Sequence, residues 1–301
     1  MSYVKNLYRD EIRDGWLVMS DIKKVWNRQL EIVAEVDRIC RKHNITYWIN
    51  YGTLIGAVRH KGFVPWDEDL DLCMMRPDYN LFLKVLDELN EPFQLKERLY
   101  GLLQISHSQT TMLDYTYLEN KPQEIAIDIF ALDIVDDKTP EGSSSYRALD
   151  ELLTAACNYP KIIRYVQNGG RLLNDLQVLA AISKADEEQK LDILELYADA
   201  LWGQSSLVAW IQDTLNKVAK PFRKDWFSET IYLPFETIEL PAPKMFDEVL
   251  TAYYGDWRTP VHDGKNRMGN FHSADIPWRE FSSRIDVPKF LEQMLSKTSA
   301  D

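Results

Sequence analysis

The stretch that decides the fold begins with Tyr51–Gly56, YGTLIG, and ends with Trp66–Leu72, WDEDLDL. Side chains alternate between the two faces of a β-strand, so Asp69 and Asp71 are predicted on one face and Leu70 on the other. Two carboxylates held about 6 to 7 Å apart on a strand repel each other unless a cation lies between them. The acidic pair therefore predicts a metal site built on a strand.

The predicted ligands are hard oxygen atoms, which suit Mg²⁺ or Mn²⁺ bound by a few carboxylates and substrate phosphates. Upstream, Gly52 and Thr53 offer backbone N–H groups and a hydroxyl to a phosphate at the mouth of a helix. The alternatives are an ordinary strand-to-helix turn and a solvated edge strand. A calcium loop is excluded, because its glycine at position six and its glutamate at position twelve are missing. The combination predicts phosphoryl or nucleotidyl transfer.

A third acidic residue, Asp128, lies in the apolar, β-branched run Ile125–Phe130, which is typical of a central strand. An unpaired charge there costs several kcal/mol, so Asp128 needs a partner. Two metal ions about 3.5 to 4 Å apart need a third carboxylate. Asp128 is therefore a metal ligand, a base for an acceptor hydroxyl, or one half of a buried salt bridge. The pattern alone leaves these alternatives open.

Basic residues near the acidic strand are candidate phosphate ligands. Arg59 and Lys61 lie between the Gly-Thr turn and the acidic strand, where at least one of them could neutralise a metal-bound diphosphate. Charged residues in such a run are more often solvated. His272, preceded by Lys265 and Arg267, is a further candidate, with a surface loop as the alternative.

Aromatic residues surround the same stretch. Trp66 and Tyr51 are the candidates to cage a quaternary ammonium group or to stack on a base, although such residues more often belong to a core. Neighbours in the sequence are Trp48, Tyr115 and Tyr117. The chain is acidic and contains nine Trp and fifteen Tyr, which favours a cationic ligand over a neutral one.

The composition limits the class of protein. A chain of 301 residues can form one large domain or two modest ones. The net charge of −12 argues against a nucleic-acid track, which would show a basic stripe. Cys40, Cys73 and Cys157 lack metal-type spacing and are predicted to be reduced, two of them in the core. No apolar run is long enough for a membrane helix. The expectation is a soluble, cytoplasmic protein, with transient contact at the inner membrane surface left open.

The periodicity predicts helices at residues 20–42, 54–60 and 77–89, the second ended by Gly62, and an acidic strand from Asp69 to Met74. Short strands are predicted near residues 47–50, 93–95, 101–107, 111–117 and 125–130. The predicted fold class is α+β, with a mixed sheet flanked by helices.

The middle of the chain has a different character. Residues 139–145, TPEGSSS, are typical of a linker, and residues 146–220 show helical periodicity. Strand signals return at 230–233 and 237–240, followed by a helix at 244–254. The predicted organisation is a catalytic core at 1–139, an α-helical insert at 140–222, and a C-terminal part at 223–301 that returns to the core.

Residues 52–71, GTLIGAVRHKGFVPWDEDLD, resemble the signature of the LicD family of bacterial phosphocholine transferases and eukaryotic fukutin-type ribitol-phosphate transferases. Ile127–Asp133, IDIFALD, and Pro241–Pro243 leading to Tyr254–Asp256 fit the same family. The middle of the chain is not covered by the resemblance. The resemblance implies a core related to the nucleotidyltransferase fold of polymerase beta, and it favours a functional role for Asp128.

The implied reaction is a metal-dependent phosphotransfer. Asp69 and Asp71 would hold Mg²⁺ or Mn²⁺, and Asp128 would bridge a second ion or accept a proton. A CDP-linked donor such as CDP-choline would lie over Gly52 and Thr53. A hydroxyl of a glycan or lipid-linked glycan, such as teichoic acid or lipopolysaccharide, would attack the distal phosphorus and release CMP. The alternatives are a nucleotidyltransferase that uses an NTP and releases pyrophosphate, and a catalytically inactive nucleotide-binding module.

Overall fold

The computed structural model describes residues 2–113, 123–135, 191–192, 195, 202, 205–210, 221–261, 271–287 and 289–290. Most of the predicted helical insert lies outside the described residues. The same holds for several residues singled out in the sequence: Tyr115, Tyr117, Cys157, Lys265 and Arg267. The division of the chain into three parts stays a prediction.

The described residues form the helices and strands labelled here. In chain order they are β1 (Glu11–Arg13), β2 (Trp16–Val18), α1 (Ser20–His43), β3 (Trp48–Ile49), α2 (Tyr51–His60), β4 (Asp71–Met75), α3 (Arg76–Leu83), β5 (Phe93–Leu99), β6 (Leu102–His107), β7 (Thr111–Met112), β8 (Ala126–Val135), β9 (Leu207–Ala209), β10 (Phe222–Arg223), β11 (Thr230–Phe235), β12 (Ile238–Pro243), α4 (Phe246–Tyr254), β13 (His272–Ser273) and α5 (Trp278–Arg284).

A seven-stranded mixed sheet is built around β8. β4 runs parallel to β8, with Asp71 opposite Asp128 and Met75 opposite Leu132. β6 is antiparallel to the first half of β8, and β9 is antiparallel to its last three residues. The remaining strands β3, β5 and β10 pair with β4, β6 and β9. β8 is almost continuously buried, as expected for a central strand. The predicted α+β fold with a mixed sheet is confirmed.

Helix α1 packs on this sheet against β6 and β8. Apolar residues at helical spacing form one stripe of α1, and all of them are buried: Ile22, Val25, Trp26, Leu30, Val33, Val36 and Cys40. The helix begins at Ser20 as predicted, and the residue before it, Met19, makes no side-chain cap bond. The Ser20 N–H donates instead to Asp10 Oδ1 at 2.7 Å, which satisfies one of the free donors at the helix start.

The predicted start of α2 is wrong, and its predicted end at His60 is confirmed. The helix begins at Tyr51 and not at Leu54, because the Leu54 N–H already donates to the Asn50 carbonyl at 3.0 Å. The residue that terminates it is Lys61, in a left-handed conformation at φ 55°, and not Gly62. The Gly-Thr pair therefore lies inside the first helical turn.

Two other predicted bounds also differ from the structure. β4 begins at Asp71 and not at Asp69. The Asp128 N–H donates to the Leu70 carbonyl, and the regular pairing of β4 with β8 starts at the next residue. α3 ends at Leu83, and Leu86–Glu88 form a separate 3-10 turn, so the single helix predicted to residue 89 is broken. Among the described residues, no helix is both long and apolar enough to cross a bilayer.

A buried ion pair joins the end of β4 to β8. Arg76 and Asp133 form two hydrogen bonds, from Nε to Oδ1 at 2.6 Å and from Nη2 to Oδ2 at 2.8 Å. Both side chains are essentially inaccessible to solvent. The Arg76 guanidinium also lies over the rings of Tyr79 and Tyr100, at 4.9 and 5.0 Å. Removing one partner of such a pair leaves an uncompensated buried charge.

We expect Asp133→Ala to lower the free energy of unfolding by about 3 to 5 kcal/mol, because the buried Arg76 would lose the carboxylate that accepts two of its hydrogen bonds, and the other carboxylate beside it, Glu195, lies 3.9 Å away. The matched control is Asp225→Ala. Asp225 forms the same two-bond contact with Arg223, but both side chains are more than half exposed, so the change should have little effect on the free energy of unfolding. Urea unfolding of both variants checks the prediction, and equal effects would contradict it.

Candidate active site

The start of α2 is fastened to β4 through the backbone of Asp71. The Asp71 N–H donates to Thr53 Oγ1 at 2.8 Å, and the Asp71 carbonyl accepts the Asn50 N–H at 2.9 Å. Thr53 itself is buried. Its hydroxyl, which the sequence suggested for a phosphate, is therefore used to hold the acidic strand in place.

Acidic side chains follow one face of the stretch that leads into β4. Asp69 is exposed and Asp71 half-buried, whereas Glu68 and Leu70 are buried. The predicted alternation is thus present, although regular strand pairing starts only at Asp71. Asp67 follows the same alternation, and all three aspartates line one cavity of about 530 Å³.

Four aromatic side chains line this cavity, which we call the aromatic cavity: Tyr51, Trp66, Tyr254 and Trp257. It lies between α2, the stretch before β4 and the residues that follow α4. Gly52 also lines it. A Cβ atom at Gly52 would lie 2.5 Å from Asp67 Oδ2, so glycine is needed there for the carboxylate to approach the helix start.

Arg59 brings a positive charge to the aromatic cavity. Its Nη1 donates to the Trp257 carbonyl at 3.1 Å, and its Nε is buried with no hydrogen-bond partner among the described residues. Burial lowers the pKa of the guanidinium, which nevertheless stays charged at physiological pH. Lys61, the other predicted phosphate ligand, is exposed and does not line this cavity. An anion in the aromatic cavity would thus meet Arg59.

The two predicted aromatic ligands, Tyr51 and Trp66, are held in place by contacts with neighbouring rings. The Tyr51 ring lies 5.1 Å from Phe130 and 4.6 Å from Tyr253, measured between centroids. The Trp66 ring lies 6.0 Å from Trp16, in an edge-to-face arrangement. Both rings are thus positioned by packing while they still line the cavity.

A second cavity, of about 230 Å³, shares Asp69 and Asp71 with the aromatic cavity and, among the described residues that line the two, no other. Its lining is rich in carboxylates and amides, so we call it the polar cavity. Residues that contribute polar groups to it include Gln29, Asp69, Asp71, Lys96, Gln104 and Asp128. The acidic pair therefore stands between two compartments of different chemistry.

Asp128 belongs to the polar cavity. It pairs with Asp71 across the parallel strands, and its Oδ1 accepts a hydrogen bond from Gln104 Nε2 at 2.9 Å. Burial raises the pKa of Asp128 to about 6; the Gln104 hydrogen bond opposes this rise, and the negative charge of Asp69 adds to it. The positive charge of Lys96 also lowers the pKa of Asp128, but no hydrogen bond or ion pair joins Asp128 to an Arg or Lys among the described residues. The described residues therefore do not form the buried salt bridge that was one of the alternatives for Asp128.

Other residues singled out in the sequence lie elsewhere. His272 is in β13, paired with Met112 of β7, and lines neither cavity. Trp48 is a core residue: it is buried, its ring contacts Phe227, and its Nε1 donates to Thr230 Oγ1 at 2.9 Å. Of the two interpretations for the aromatic residues near the signature, Trp48 therefore fits the core and not a ligand cage, because β3 places it inside the sheet.

Three residues of the site were not anticipated. Asp67 continues the two-residue period of Asp69 and Asp71, and that period was available in the sequence. Gln104 reaches the site through the pairing of β6 with β8, and Trp257 through the path of the chain after α4. The sequence holds no local signal for either.

The donor atoms present suit a hard divalent cation, since they are carboxylate oxygens. Within the part of the chain that the structure describes, no three His, Cys, Asp or Glu side chains are grouped so as to hold one metal ion. Mg²⁺ is commonly bound by one or two carboxylates together with substrate phosphates. Asp69 and Asp71 fit that arrangement, in which the substrate completes the coordination.

Comparison with known proteins shows which family the chain resembles. Residues 44–149 match the family model described as LicD/FKTN/FKRP, nucleotidyltransferase domain. The chain is 26% identical over 239 residues to the lipopolysaccharide cholinephosphotransferase LicD of Haemophilus influenzae, a match that covers 76% of this chain and 88% of that protein.

Shorter matches are found in two uncharacterised rickettsial proteins. Over 61 residues the chain is 39% identical to RT0683 of Rickettsia typhi and 38% identical to RP689 of Rickettsia prowazekii. Each covers 20% of this chain, and 20% and 23% of the respective relatives. The matched region of the family model contains the acidic pair, Asp128 and the start of α2. Residues 44–149 thus resemble the nucleotidyltransferase domain of the LicD family, and the chain is similar over most of its length to a transferase of that type.

Proposed function

We propose that the protein transfers phosphocholine from CDP-choline to a hydroxyl of a cell-surface glycan or its lipid-linked precursor, and releases CMP. The observation that carries the proposal is the pair of cavities, which share Asp69 and Asp71 and no other described residue. A group-transfer enzyme has to bring two substrates to one reacting centre. Similarity to a lipopolysaccharide cholinephosphotransferase supports the choice of donor and acceptor class.

Asp69 and Asp71 would hold the divalent cation. When bound, the ion would neutralise charge on the donor phosphates and on the group being transferred. The hydrogen bonds from Thr53 and Asn50 to the Asp71 backbone fix the position of one of these carboxylates relative to α2. Holding Asp71 on a strand, with Asp69 two residues before it, limits the reorganisation needed when substrate arrives.

The donor is assigned to the aromatic cavity. Its volume of about 530 Å³ is within the usual range for a small-molecule site, about 300 to 1,000 Å³. Arg59 offers a guanidinium to a diphosphate oxygen, and the start of α2 presents the backbone next to Gly52. Trp66 and Tyr51 offer ring faces to a quaternary ammonium group or a base.

Asp128 is suited to accept the proton of the attacking hydroxyl. A general base works best when its pKa lies near the working pH, and the raised pKa of about 6 meets this condition better than an ordinary aspartate. Gln104 orients the carboxylate through one oxygen, which leaves the other available. The proposed location is the cytoplasm, with contact at the membrane surface where a lipid-linked acceptor would be met.

The second candidate reaction is nucleotidyl transfer from an NTP, which the same ligands would support. The two reactions differ in the product released, CMP in one case and pyrophosphate in the other. An inactive nucleotide-binding module is the third candidate. It is disfavoured by the side-by-side placement of Asp71 and Asp128 on β4 and β8.

Replacing either metal ligand should abolish turnover without unfolding the protein. Asp69→Asn and Asp71→Asn lose the charge that attracts the cation, and we expect the rate of Mg²⁺-dependent CMP release from CDP-choline to fall about a thousandfold or more. Asp87→Asn, an exposed aspartate in a surface turn, is the matched control and should retain the wild-type rate. Full activity in either active-site variant would rule out the proposed metal site.

Asp128→Asn should stabilise the metal-free protein while it removes most of the rate. The folded-state pKa of about 6 lies above the unfolded value, so the proton binds more tightly in the folded state. Stability from this group is therefore greatest below about pH 4 and is lost as pH rises to about 6, at a cost of up to about 3 kcal/mol. We expect the variant to melt above wild type at pH 7.5 and at the same temperature at pH 4. Calorimetry at both pH values, together with a rate assay, checks this; a variant that melts early at pH 7.5 would instead indicate a structural role.

The aromatic cavity should prefer a cationic donor. With Mg²⁺ present, we expect CDP-choline to bind more tightly than CDP-glycerol, and Trp66→Leu to weaken CDP-choline by about 2- to 30-fold while it changes CDP-glycerol little, since one cation–π contact contributes about 0.5 to 2 kcal/mol. Tyr232→Leu, which removes an exposed ring on β11, is the control and should change neither affinity. Equal calorimetric affinities of wild type for the two donors would remove the case for choline and leave the metal site standing.

A further inference from the structure

The polar cavity lies at one end of a row of polar side chains that crosses the sheet. Asp71 on β4 pairs with Asp128 on β8, Asp128 pairs with Gln104 on β6, and Gln104 pairs with Glu97 on β5. Residues paired across neighbouring strands point to the same face. The row therefore runs over four strands, from the proposed metal ligands to the outer strand of this part of the sheet.

A break in strand pairing brings a basic side chain to the same place. The register between β5 and β6 shifts between Leu95 and Glu97, so Lys96 is the extra residue of a β-bulge. In a regular strand, Lys96 and Glu97 would point to opposite faces. Bulges redirect side chains in this way and are common beside active sites. Here Lys96 lines the polar cavity together with Gln104 and Asp128.

One buried amide oxygen of the polar cavity lacks a donor. Gln29 of α1 donates through Nε2 to the carbonyls of Glu68, at 2.6 Å, and Ala126, at 3.4 Å. Its Oε1 is buried and has no hydrogen-bond partner within the described part of the chain. Buried acceptors are normally satisfied, so this atom points to a ligand that donates a hydrogen bond.

From these observations we propose that the polar cavity is the acceptor subsite and binds a neutral, hydroxyl-rich group of about the size of one sugar ring. The inference rests on the proposed phosphotransfer and adds where and by what the acceptor is recognised. Hydroxyl groups both donate and accept, which matches the amides, carboxylates and Lys96 of the lining. A cavity of about 230 Å³ excludes a second nucleotide and leaves room for a smaller group.

The location also fits the chemistry of the transfer. The attacking and leaving oxygens are roughly in line on opposite sides of the phosphorus. A donor in the aromatic cavity and an acceptor in the polar cavity would approach the shared carboxylates from two separate compartments. The acceptor O–H bond breaks, its proton passes to Asp128, the new O–P bond forms, and CMP leaves with the electron pair of the old bond. Atoms and charge balance without a further reactant.

The test is the partition of CDP-choline between water and a sugar. With Mg²⁺ and a panel of methyl glycosides of galactose, glucose, N-acetylgalactosamine and N-acetylglucosamine, total CMP reports both reactions, and phosphocholine-glycoside measured by mass spectrometry reports transfer. We expect Lys96→Met and Gln29→Met each to lower the ratio of transfer to hydrolysis by about three- to tenfold, the effect of one lost hydrogen bond. The ratio does not depend on donor affinity or on the amount of folded enzyme. Lys42→Met, an exposed lysine near the end of α1, is the control and should keep the wild-type ratio.

A second measurement does not depend on turnover. Saturation-transfer NMR with the same glycosides should show binding to wild-type protein that weakens in Lys96→Met. Binding without any CMP release would support the subsite and overturn the proposed reaction. CMP release with an unchanged ratio and unchanged glycoside binding in both variants would overturn the subsite. Neither transfer to nor binding of any glycoside by wild type would overturn it as well.

Discussion

The backbone of Asp71 is the point on which the arrangement of the site depends. Its N–H and its carbonyl are both bound by the start of α2, through Thr53 and Asn50, and its neighbours pair with β8. A single residue thus connects the helix that lines the aromatic cavity with the strand that lines the polar cavity. Gly52 lies in the same first turn of α2, and any larger residue there would displace Asp67. The glycine, threonine and aspartates of the signature therefore together hold the start of α2 against the acidic stretch.

Much of this could be predicted from the sequence because it depends on local periodicity. The acidic alternation, the apolar stripe of α1 and the buried run of β8 are all properties of neighbouring residues, and the structure confirms them. Element ends were less predictable. α2 starts three residues earlier than its apolar pattern, since its first turn is fixed by hydrogen bonds to β4 that no local pattern reveals.

Residues brought in from distant elements could not be predicted. Gln104 reaches Asp128 through antiparallel pairing, and Trp257 reaches Arg59 through the return of the chain after α4. Conversely, Trp48 is close to the signature in sequence, yet the alternation of a two-residue strand turns it into the core. Position in the sequence therefore identifies the region of the site, and pairing between strands determines which side chains of that region line it.

The spacing of charges along β4 and β8 has a consequence for the accuracy of folding. Asp71 is followed after five positions by Arg76, and Asp128 after five positions by Asp133, on parallel neighbours in the register that sets Asp71 opposite Asp128. At one end two acids face each other and oppose the pairing; at the other end, opposite charges are buried together and favour it. A slip by one residue would separate Arg76 from Asp133 and turn side chains to the wrong faces. The ion pair thus fixes the register of β4 against β8 and keeps two mutually repelling carboxylates adjacent.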